Sequence, residues 1–431
     1  MTDDVLLTLS LLLIGALVAR LVASLLRIPE ILVLVAAGAL LGPSVLDVVD
    51  VPFESLGAQL IFTLGVSLIL FYGGLNLSLP LLRKVWVALG LLVVPGVIIT
   101  TFVVGVAAHL AFDLPWSAAL LVGAVLSPTD PAILIPLFIR SRLRPKVAQT
   151  VIAESAFNDP TGAVLALTLA GIVLTGDSSI AEPAAEFAVD LGISTLIGIV
   201  AGILLAAAIS SHRAGIWRES SAIAVLAVVT ISFFSLDTAG GSGYLGAFLA
   251  GLIVGNMEHL GLAMHDPHEA EMRVFAFNLA DIVTLIVFVV LGANLPFEAL
   301  GDNLLPALAV LAVLMLVARP LTVFACVLPD RGGRWERNEL AFLCWTRETG
   351  VVPAALVGVL AGLGVPHGEI LASVVALAIV LTLLLQALPA GWLAGRLGLL
   401  EPRTRAVKTV PLRKVPEPIR TAGGSGPPPT A

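Results

Sequence analysis

Long apolar segments alternate with short polar connections along almost the whole chain. One crossing of a bilayer's hydrocarbon core needs about 20 mostly apolar residues, and that length divides the chain into thirteen candidate spans. Numbered spans 1 to 13, they lie near 5–26, 28–46, 55–76, 85–111, 115–139, 147–174, 184–210, 220–236, 242–257, 273–296, 304–328, 338–364 and 369–395. The pattern predicts an all-α polytopic membrane protein.

The positively charged residues fall on one side of this predicted membrane. An odd number of spans places the two termini on opposite sides. With the N-terminus outside, 20 of the 23 Lys and Arg residues lie in inner connections and the C-terminal part, and the outer connections hold none. Because cytoplasmic connections carry the excess of positive charge, we expect a membrane domain over 1–400 with its N-terminus outside, and a disordered basic cytoplasmic tail over 401–431.

The composition changes the picture by excluding whole classes of protein. Hydrophobic residues make up 58% of the chain and charged residues 12%, about half the usual charged share. A soluble protein of this size needs more polar surface, so a cytosolic enzyme, a nucleic-acid binder and a disordered protein are excluded. The two cysteines, Cys326 and Cys344, lie inside apolar stretches and predict buried thiols rather than a disulfide framework.

Some ionisable side chains lie inside the spans, where each costs several kcal/mol on insertion scales. Arg20 and Arg319 lie in the inner halves of spans 1 and 11, where they can reach the interface or pair. Asp281 lies deeper in span 10, and either a structural or a functional role is open for it.

Spans 5 and 6 carry a concentration of acidic and polar residues. In span 5 two prolines flank Thr129 and Asp130, and proline breaks the helical hydrogen-bond ladder. Such a break is tolerated at membrane depth only where it lines a polar cavity or is buried in protein. Span 6 carries the polar residues Glu154, Ser155, Asn158 and Asp159. Two unpaired carboxylates close together in low dielectric cannot both stay ionised without a cation. The site must therefore hold a proton or a metal ion, or pair with a positive side chain.

Span 12 supplies such a positive side chain, because Arg347 lies near its centre and is followed by Glu348, Gly350 and Pro353. The glycine and proline predict an unwound helix. Spans 5 and 12 run in opposite directions, and two interrupted helices in opposed orientation are typical of inverted-repeat secondary transporters. We expect Arg347 to hold Glu154 or another acid ionised, and Asp130, with Arg347 or Glu348, to offset the partial charges of the half-helix ends.

These residues resemble a known family, the NhaP-like sodium/proton antiporters of the monovalent cation:proton antiporter-1 group. The resemblance covers roughly residues 20–395. Its specific motifs are Thr129-Asp130-Pro131 and Glu154-Ser155-Ala156-Phe157-Asn158-Asp159, and weaker ones are Arg27-Ile28-Pro29, Gly42-Pro43, Gly73-Gly74-Leu75, Gly243-Tyr244-Leu245 and Gly292-Ala293-Asn294-Leu295. Tyr72 and Thr349 depart from the family pattern, since many relatives have a glutamate and an arginine there.

The resemblance implies a thirteen-helix fold with crossed broken helices, spans 5 and 12, and a homodimer in the membrane. It also implies exchange of Na⁺, with Li⁺ or K⁺ as alternatives, for H⁺ by alternating access. Asn158 before Asp159 resembles the electroneutral branch of the family, which favours one cation per proton. The implied cation and proton site is formed by Asp159, Glu154, Ser155, the Thr129 main chain and nearby Asp130, with Asn158, Arg347 and Glu348 in support.

We expect a prokaryotic plasma-membrane (inner-membrane) transporter that is not an enzyme, takes no cofactor and binds no nucleic acid. A K⁺/H⁺ antiporter of the same fold is the main alternative. A cation channel is disfavoured because the sequence has no evident carbonyl-ring filter or repeated acidic ring. An intramembrane hydrolase is disfavoured because the histidines lie at span ends or in connections and no Gly-x-Ser-x-Gly turn is present.

Overall fold

The computed structural model describes residues 2–26, 28–130, 143–176, 181–211, 215–264, 267–330 and 332–400. The predicted tail over 401–431 and the second half of span 5 lie outside these residues. Within the described ranges the elements are helices joined by turns and loops, and an isolated bridge between Leu143 and Leu400 is their single β feature. The prediction of an all-α protein is confirmed.

Each of the predicted spans 1 to 7 contains a helix at the expected position. Span 4 is divided in two at Pro95, because proline cannot donate to the helical ladder. The helices are Thr2–Leu26, Glu30–Leu41, Leu56–Leu75, Leu79–Val93 continued by Pro95–Phe112, Trp116–Val125, Pro145–Thr175 and Ala181–Ile209.

Spans 8 to 13 also coincide with helices, and spans 11 and 13 each contain a π-helical turn. The helices are Ser221–Ala239, Gly243–Gly255, His268–Ala293, Leu304–Val313 with Arg319–Val327, Arg337–Trp345 with Val351–Gly362, and Gly368–Thr382 with Ala390–Arg396. The π-helical turns are Leu314–Ala318 and Leu383–Ala387. Short helices at Arg218–Ser220, Met257–Leu260 and Phe297–Asp302 lie in the connections.

Hydropathy and length support membrane crossing for these helices. Within the described residues, nine helices are long and apolar enough to cross a membrane. Four shorter apolar helices, Glu30–Leu41, Trp116–Val125, Gly243–Gly255 and Val351–Gly362, belong to spans 2, 5, 9 and 12. The chain is therefore an integral membrane protein with the predicted thirteen-span architecture.

Two close helix crossings are related by the inverted repeat. With corresponding spans offset by seven, spans 2 and 3 correspond to spans 9 and 10. Span 2 crosses span 10 at Gly38, where a Cβ would lie 2.0 Å from the carbonyl oxygen of Val289. Span 9 crosses span 3 at Gly251, where a Cβ would lie 2.0 Å from the carbonyl oxygen of Phe71. Small residues let transmembrane backbones approach closely, so corresponding helices of the two halves make the same contact twice.

The largest buried apolar cluster joins the two halves of the chain. Phe62 of span 3, Phe248 of span 9 and Phe288 of span 10 are fully buried in it. Span 1, in contrast, exposes large apolar side chains such as Leu17 and Leu25, which is the surface expected to contact lipid.

Arg20 links span 1 to two acidic residues on neighbouring spans. Its Nε donates to Glu30 Oε1 at 2.6 Å, and its two terminal nitrogens donate to Asp281 Oδ2 and Oδ1 at 3.0 and 2.8 Å. The prediction that Arg20 can pair is confirmed. Asp281, whose role the sequence left open, contributes a bidentate ion pair between spans 10 and 1.

A second ion cluster fastens the beginning of span 6 to the beginning of span 12. Lys146 Nζ lies 2.5 Å from Glu339 Oε2, and Arg144 donates to Glu336 Oε2 at 2.8 Å. The Glu336 main-chain N–H donates to Glu339 Oε2 at 2.9 Å, as part of the capping box that starts this half of span 12. The two spans that carry most of the candidate site are thus held together at one end.

Candidate functional site

The two interrupted helices contact each other at their breaks. Span 5 is helical to Val125 and non-helical over 126–130, and span 12 is non-helical over 346–350. The Asp130 main-chain N–H donates to the Glu348 carbonyl oxygen at 3.1 Å. Both predicted interruptions are therefore present, and the tertiary structure brings them into direct contact.

The Asp130 side chain lies at the N-terminus of the second half of span 12. Its Oδ2 accepts a hydrogen bond from the Val351 main-chain N–H at 3.3 Å. Gly350 permits this approach, since a Cβ there would lie 2.0 Å from the same Oδ2. A helix N-terminus carries a partial positive charge that a carboxylate stabilises. This is the geometry that the sequence predicted for Asp130.

The Arg347 side chain lies at the C-terminal end of the first half of span 5. One terminal nitrogen donates to the carbonyl oxygens of Leu126 and of Ser127, the latter at 2.9 Å. These carbonyls end the first half of span 5, where the partial charge is negative. Asp130 and Arg347 therefore place opposite charges at half-helix ends of opposite polarity.

The ion-pair partner of Glu154 is Arg319 of span 11. Of the two alternatives predicted for Arg347, Glu154 or another acid, the first was therefore wrong. The two terminal nitrogens of Arg319 donate to Glu154 Oε1 and to Oε2, the second at 3.0 Å, and Nε donates to the Leu343 carbonyl oxygen at 2.8 Å. Both side chains are buried. The π-helical turn Leu314–Ala318 directly precedes Arg319. A π turn changes which residues face a neighbouring helix, and the sequence pattern does not reveal it.

The non-helical part of span 5 is bound to span 6 through Thr129. Its main-chain N–H donates to Asn158 Oδ1 at 3.2 Å, and Asn158 Nδ2 donates to Thr129 Oγ1 at 2.9 Å. The Ser155 hydroxyl donates to the Thr129 carbonyl oxygen. All three residues are buried, so the unwound backbone is satisfied by polar side chains of the neighbouring helix.

Asp159 differs from Glu154 and Asp130. Glu154 is bound by a guanidinium group and Asp130 accepts from a helix N-terminus. Asp159 is half-buried, and its Oδ1 is buried without a hydrogen-bond partner in the part of the chain that the structure describes. A cation or a proton beside Oδ1 would compensate this buried oxygen.

One residue of this region was not singled out from the sequence. Thr382 of span 13 accepts a hydrogen bond at its Oγ1 from the Thr349 main-chain N–H at 3.0 Å, and both residues are fully buried. Threonines in transmembrane helices commonly bond to their own helix, so an isolated threonine in an apolar span gives no sequence signal.

The chemistry of the site is that of oxygen atoms. Across the described ranges, no group of three or more His, Cys, Asp or Glu side chains is placed to hold a metal ion. The oxygens at the break belong to the carboxylate of Asp159, the hydroxyl of Ser155 and the main chain of Thr129. Hard cations prefer oxygen ligands of this kind.

The chain is similar in sequence to curated transport proteins. It is 31% identical over 391 residues to the K(+)/H(+) antiporter NhaP2 of Shewanella sp. (strain ANA-3), covering 88% of this chain and 65% of that protein. It is 30% identical over 353 residues to the Probable Na(+)/H(+) antiporter 2 of Methanocaldococcus jannaschii, covering 79% and 81%. The chain thus spans 65% of the length of the NhaP2 protein.

The fold also matches a solved structure. The sodium proton antiporter MjNhaP1 of Methanocaldococcus jannaschii at pH 8 superposes with a TM-score of 0.77 at 25% sequence identity, covering 91% of this chain and 99% of that one. A family model described as "Sodium/hydrogen exchanger, transmembrane" matches residues 10–395. This match covers most of the chain and includes both interrupted helices, so the chain belongs to the transmembrane sodium/hydrogen exchanger family.

Proposed function

We propose that the protein exchanges a monovalent cation, Na⁺ in the first place, for H⁺ by alternating access, with both ions competing for the carboxylate of Asp159. The supporting observation is the buried Oδ1 of Asp159, which has no hydrogen-bond partner among the described residues. An ionised carboxylate out of water costs several kcal/mol unless it is compensated. A cation or a proton supplies that compensation in turn.

In this proposal the direct cation ligands are the Asp159 carboxylate, the Ser155 hydroxyl and the Thr129 carbonyl oxygen. Asn158 holds Thr129 in place through its two hydrogen bonds. Glu154, which the resemblance implied as a ligand, acts here as a fixed negative charge beside the site, because Arg319 binds both of its carboxylate oxygens.

Competition for one site couples the two fluxes. Protonation of Asp159 removes the charge that binds the cation, and deprotonation restores it, so each change of access carries one ion or the other. The protons are taken up by the coupled acids of the site rather than by one isolated group. Since Asn158 before Asp159 resembles the electroneutral branch of the family, we propose one cation per proton and electroneutral exchange.

Asp130, Arg347 and Glu348 support the crossing rather than bind the cation directly. Asp130 and Arg347 lie at half-helix ends of opposite polarity, and the Glu348 carbonyl oxygen accepts from the Asp130 N–H. We propose that these contacts keep the unwound segments at one distance from each other, so that the ligand oxygens converge on one point.

K⁺/H⁺ exchange is the second candidate, and it is favoured by the names of relatives. The NhaP2 protein of Shewanella and the NhaP protein of Alkalimonas amylolytica, 30% identical over 406 residues, are both called K(+)/H(+) antiporters. The same oxygen ligands accept either cation, so selectivity depends on how closely they approach the ion.

We also propose the cellular setting that the family resemblance implies. The protein is a homodimer in the plasma membrane of a prokaryote, with the N-terminus outside and the basic C-terminal part inside. The orientation is supported by the placement of 20 of the 23 positive residues on one side.

The test is transport by the purified protein in liposomes that contain a pH-sensitive dye. Pulses of Na⁺, Li⁺, K⁺ or choline are compared with and without a valinomycin voltage clamp. We expect proton efflux with Na⁺, unaffected by the clamp. Asp159→Asn should abolish it while the protein still elutes as a single folded species. Asp113→Asn is the matched control, because Asp113 is exposed and has a positive φ of 53° that asparagine tolerates.

Undiminished exchange by Asp159→Asn would overturn the assignment of the site. Proton flux with K⁺ but not with Na⁺ would replace the first candidate with the second. Cation current without obligatory proton movement would instead identify a channel.

A further inference from the structure

Each unwound segment is bound by a hydrogen bond to the helix that follows it. In the first half of the chain the Thr129 N–H donates to Asn158 Oδ1 of span 6 at 3.2 Å. In the second half the Thr349 N–H donates to Thr382 Oγ1 of span 13 at 3.0 Å. With corresponding spans offset by seven, spans 5 and 6 correspond to spans 12 and 13, so the two bonds are counterparts.

The chemistry of the two counterparts is different. The span 6 residue is an amide next to the Asp159 carboxylate, whereas span 13 supplies a neutral hydroxyl between Leu381 and Leu383. The Thr382 hydroxyl donates to the Ile379 carbonyl oxygen at 3.4 Å and so keeps a lone pair for the Thr349 N–H. In the proposed mechanism the ion binds in the half of the chain that contains the Asp159 carboxylate. The uncharged Thr382 in the other half therefore serves to hold the unwound segment of span 12 in place.

The segment that Thr382 holds carries the contacts to span 5. Arg347, two residues before Thr349, donates to the carbonyl oxygens that end the first half of span 5. Glu348, one residue before, accepts from the Asp130 N–H. A displacement of Thr349 therefore moves both contacts to the break that contains the Thr129 carbonyl oxygen.

The local backbone at Thr382 also favours a role in holding the unwound segment of span 12. Thr382 is the last α-helical residue before the π-helical turn Leu383–Ala387. Turns of this kind lie frequently at functional sites and re-aim the side chains near them. Thr382 and Thr349 are both fully buried, so water is not available to replace the bond.

We propose that Thr382 is a positioning residue for the cation site, acting through the Thr349 main chain and the Arg347 contacts rather than on the ion itself. The expected effect of Thr382 on transport rests on the proposed function. Its effect on the backbone of residues 346–350 does not depend on that function and is measured separately.

The experiment compares Thr382→Val, Thr382→Ser and Thr284→Val in the full-length protein. Valine keeps the shape of threonine but accepts no hydrogen bond, and serine keeps the hydroxyl. Thr284 is the matched control because its hydroxyl donates only within its own helix, to the Ala280 carbonyl oxygen at 2.8 Å. Amide hydrogen exchange by mass spectrometry is followed in peptides covering 346–350, and the apparent KM for Na⁺ and maximal rate are measured in proteoliposomes across pH.

We expect Thr382→Val to accelerate exchange in these peptides and to raise the apparent KM for Na⁺ roughly fivefold, the scale of one hydrogen bond. Thr382→Ser and Thr284→Val should match the wild type in both readouts. A loss of folded protein would lower the maximal rate and leave KM unchanged, so it is distinguishable from a loss of positioning.

Unaltered hydrogen exchange in Thr382→Val would overturn the inference. Faster exchange with an unchanged KM and pH profile would also overturn it, because the bond would then be structural only. If the wild type shows no cation-driven proton flux, the proposed function fails. Na⁺ affinity is then measured from the Na⁺-dependent rise in melting temperature instead of from KM.

Discussion

The guanidinium group of Arg319 in span 11 binds both carboxylate oxygens of Glu154 in span 6, and both side chains are buried within the membrane domain. Removing one member of a buried pair leaves an uncompensated charge, which costs about 3–5 kcal/mol. We expect Arg319→Met to lower the melting temperature strongly in detergent, as followed by size-exclusion chromatography after heating.

The double variant Arg319→Met with Glu154→Gln tests the reason for that loss. It removes both charges, so it should be more stable than Arg319→Met alone. Equal melting temperatures for the single and double variants would show that the charge of Glu154 is not what destabilises the single variant.

Gly350 is required where Asp130 approaches the beginning of the second half of span 12. A Cβ at Gly350 would lie 2.0 Å from Asp130 Oδ2, so Gly350→Ala should displace the carboxylate and reduce cation-driven proton flux more than tenfold. Gly171→Ala is the control, because no atom lies within 4 Å of a Cβ there and alanine favours a helix interior by about 0.5–1 kcal/mol. Normal flux in Gly350→Ala would contradict the close contact.

Two substitutions at Asp130 separate its charge from its hydrogen bond. Asparagine still accepts from the Val351 N–H, whereas alanine does not. We therefore expect Asp130→Asn to lower the maximal transport rate by a few-fold, on the scale of a helix-dipole interaction, and Asp130→Ala to lower it further. The two rates are compared at equal protein content in proteoliposomes, and equal losses would mean that the charge alone matters.

Arg20 and Asp281 are expected to affect stability rather than transport. Their ion pair joins spans 1 and 10, and their side chains are 41% and 29% exposed, so solvent screening limits its contribution to about 1 kcal/mol. Asp281→Asn should lower the melting temperature slightly and leave the KM for Na⁺ unchanged. A changed KM would show that Asp281 has a functional role, the alternative that the sequence left open.

The proposed orientation predicts which connections are accessible from outside intact cells. Asp302 and Glu219 are both exposed in connections that the positive-charge pattern assigns to opposite sides. An impermeant maleimide should label Asp302→Cys in intact cells and Glu219→Cys only after permeabilisation. The reverse pattern would invert the topology. The wild type measures background labelling of Cys326 and Cys344.

The sequence predicted the spans and both interruptions because these follow from local rules. A bilayer selects apolar segments of a given length, and Pro128 and Gly350 stand where a helix loses its hydrogen-bond ladder. Asp130 was correctly expected to offset a half-helix end, but that end begins at Val351 of span 12, and only the tertiary structure brings the two together. The motif around Asp159 predicted the family, and the comparisons confirm that prediction.

The partner of Glu154 and the contact between Thr382 and Thr349 were decided by the tertiary structure alone. Arg319 and Arg347 are both buried arginines, and choosing between them requires the rotation of each helix, which a π turn alters before Arg319. The bond from Thr349 to Thr382 joins two helices through one main-chain amide. Sequence determines which residues are costly in a membrane, because that cost is a property of each side chain. Packing determines which of them compensate one another, because that depends on distances between helices.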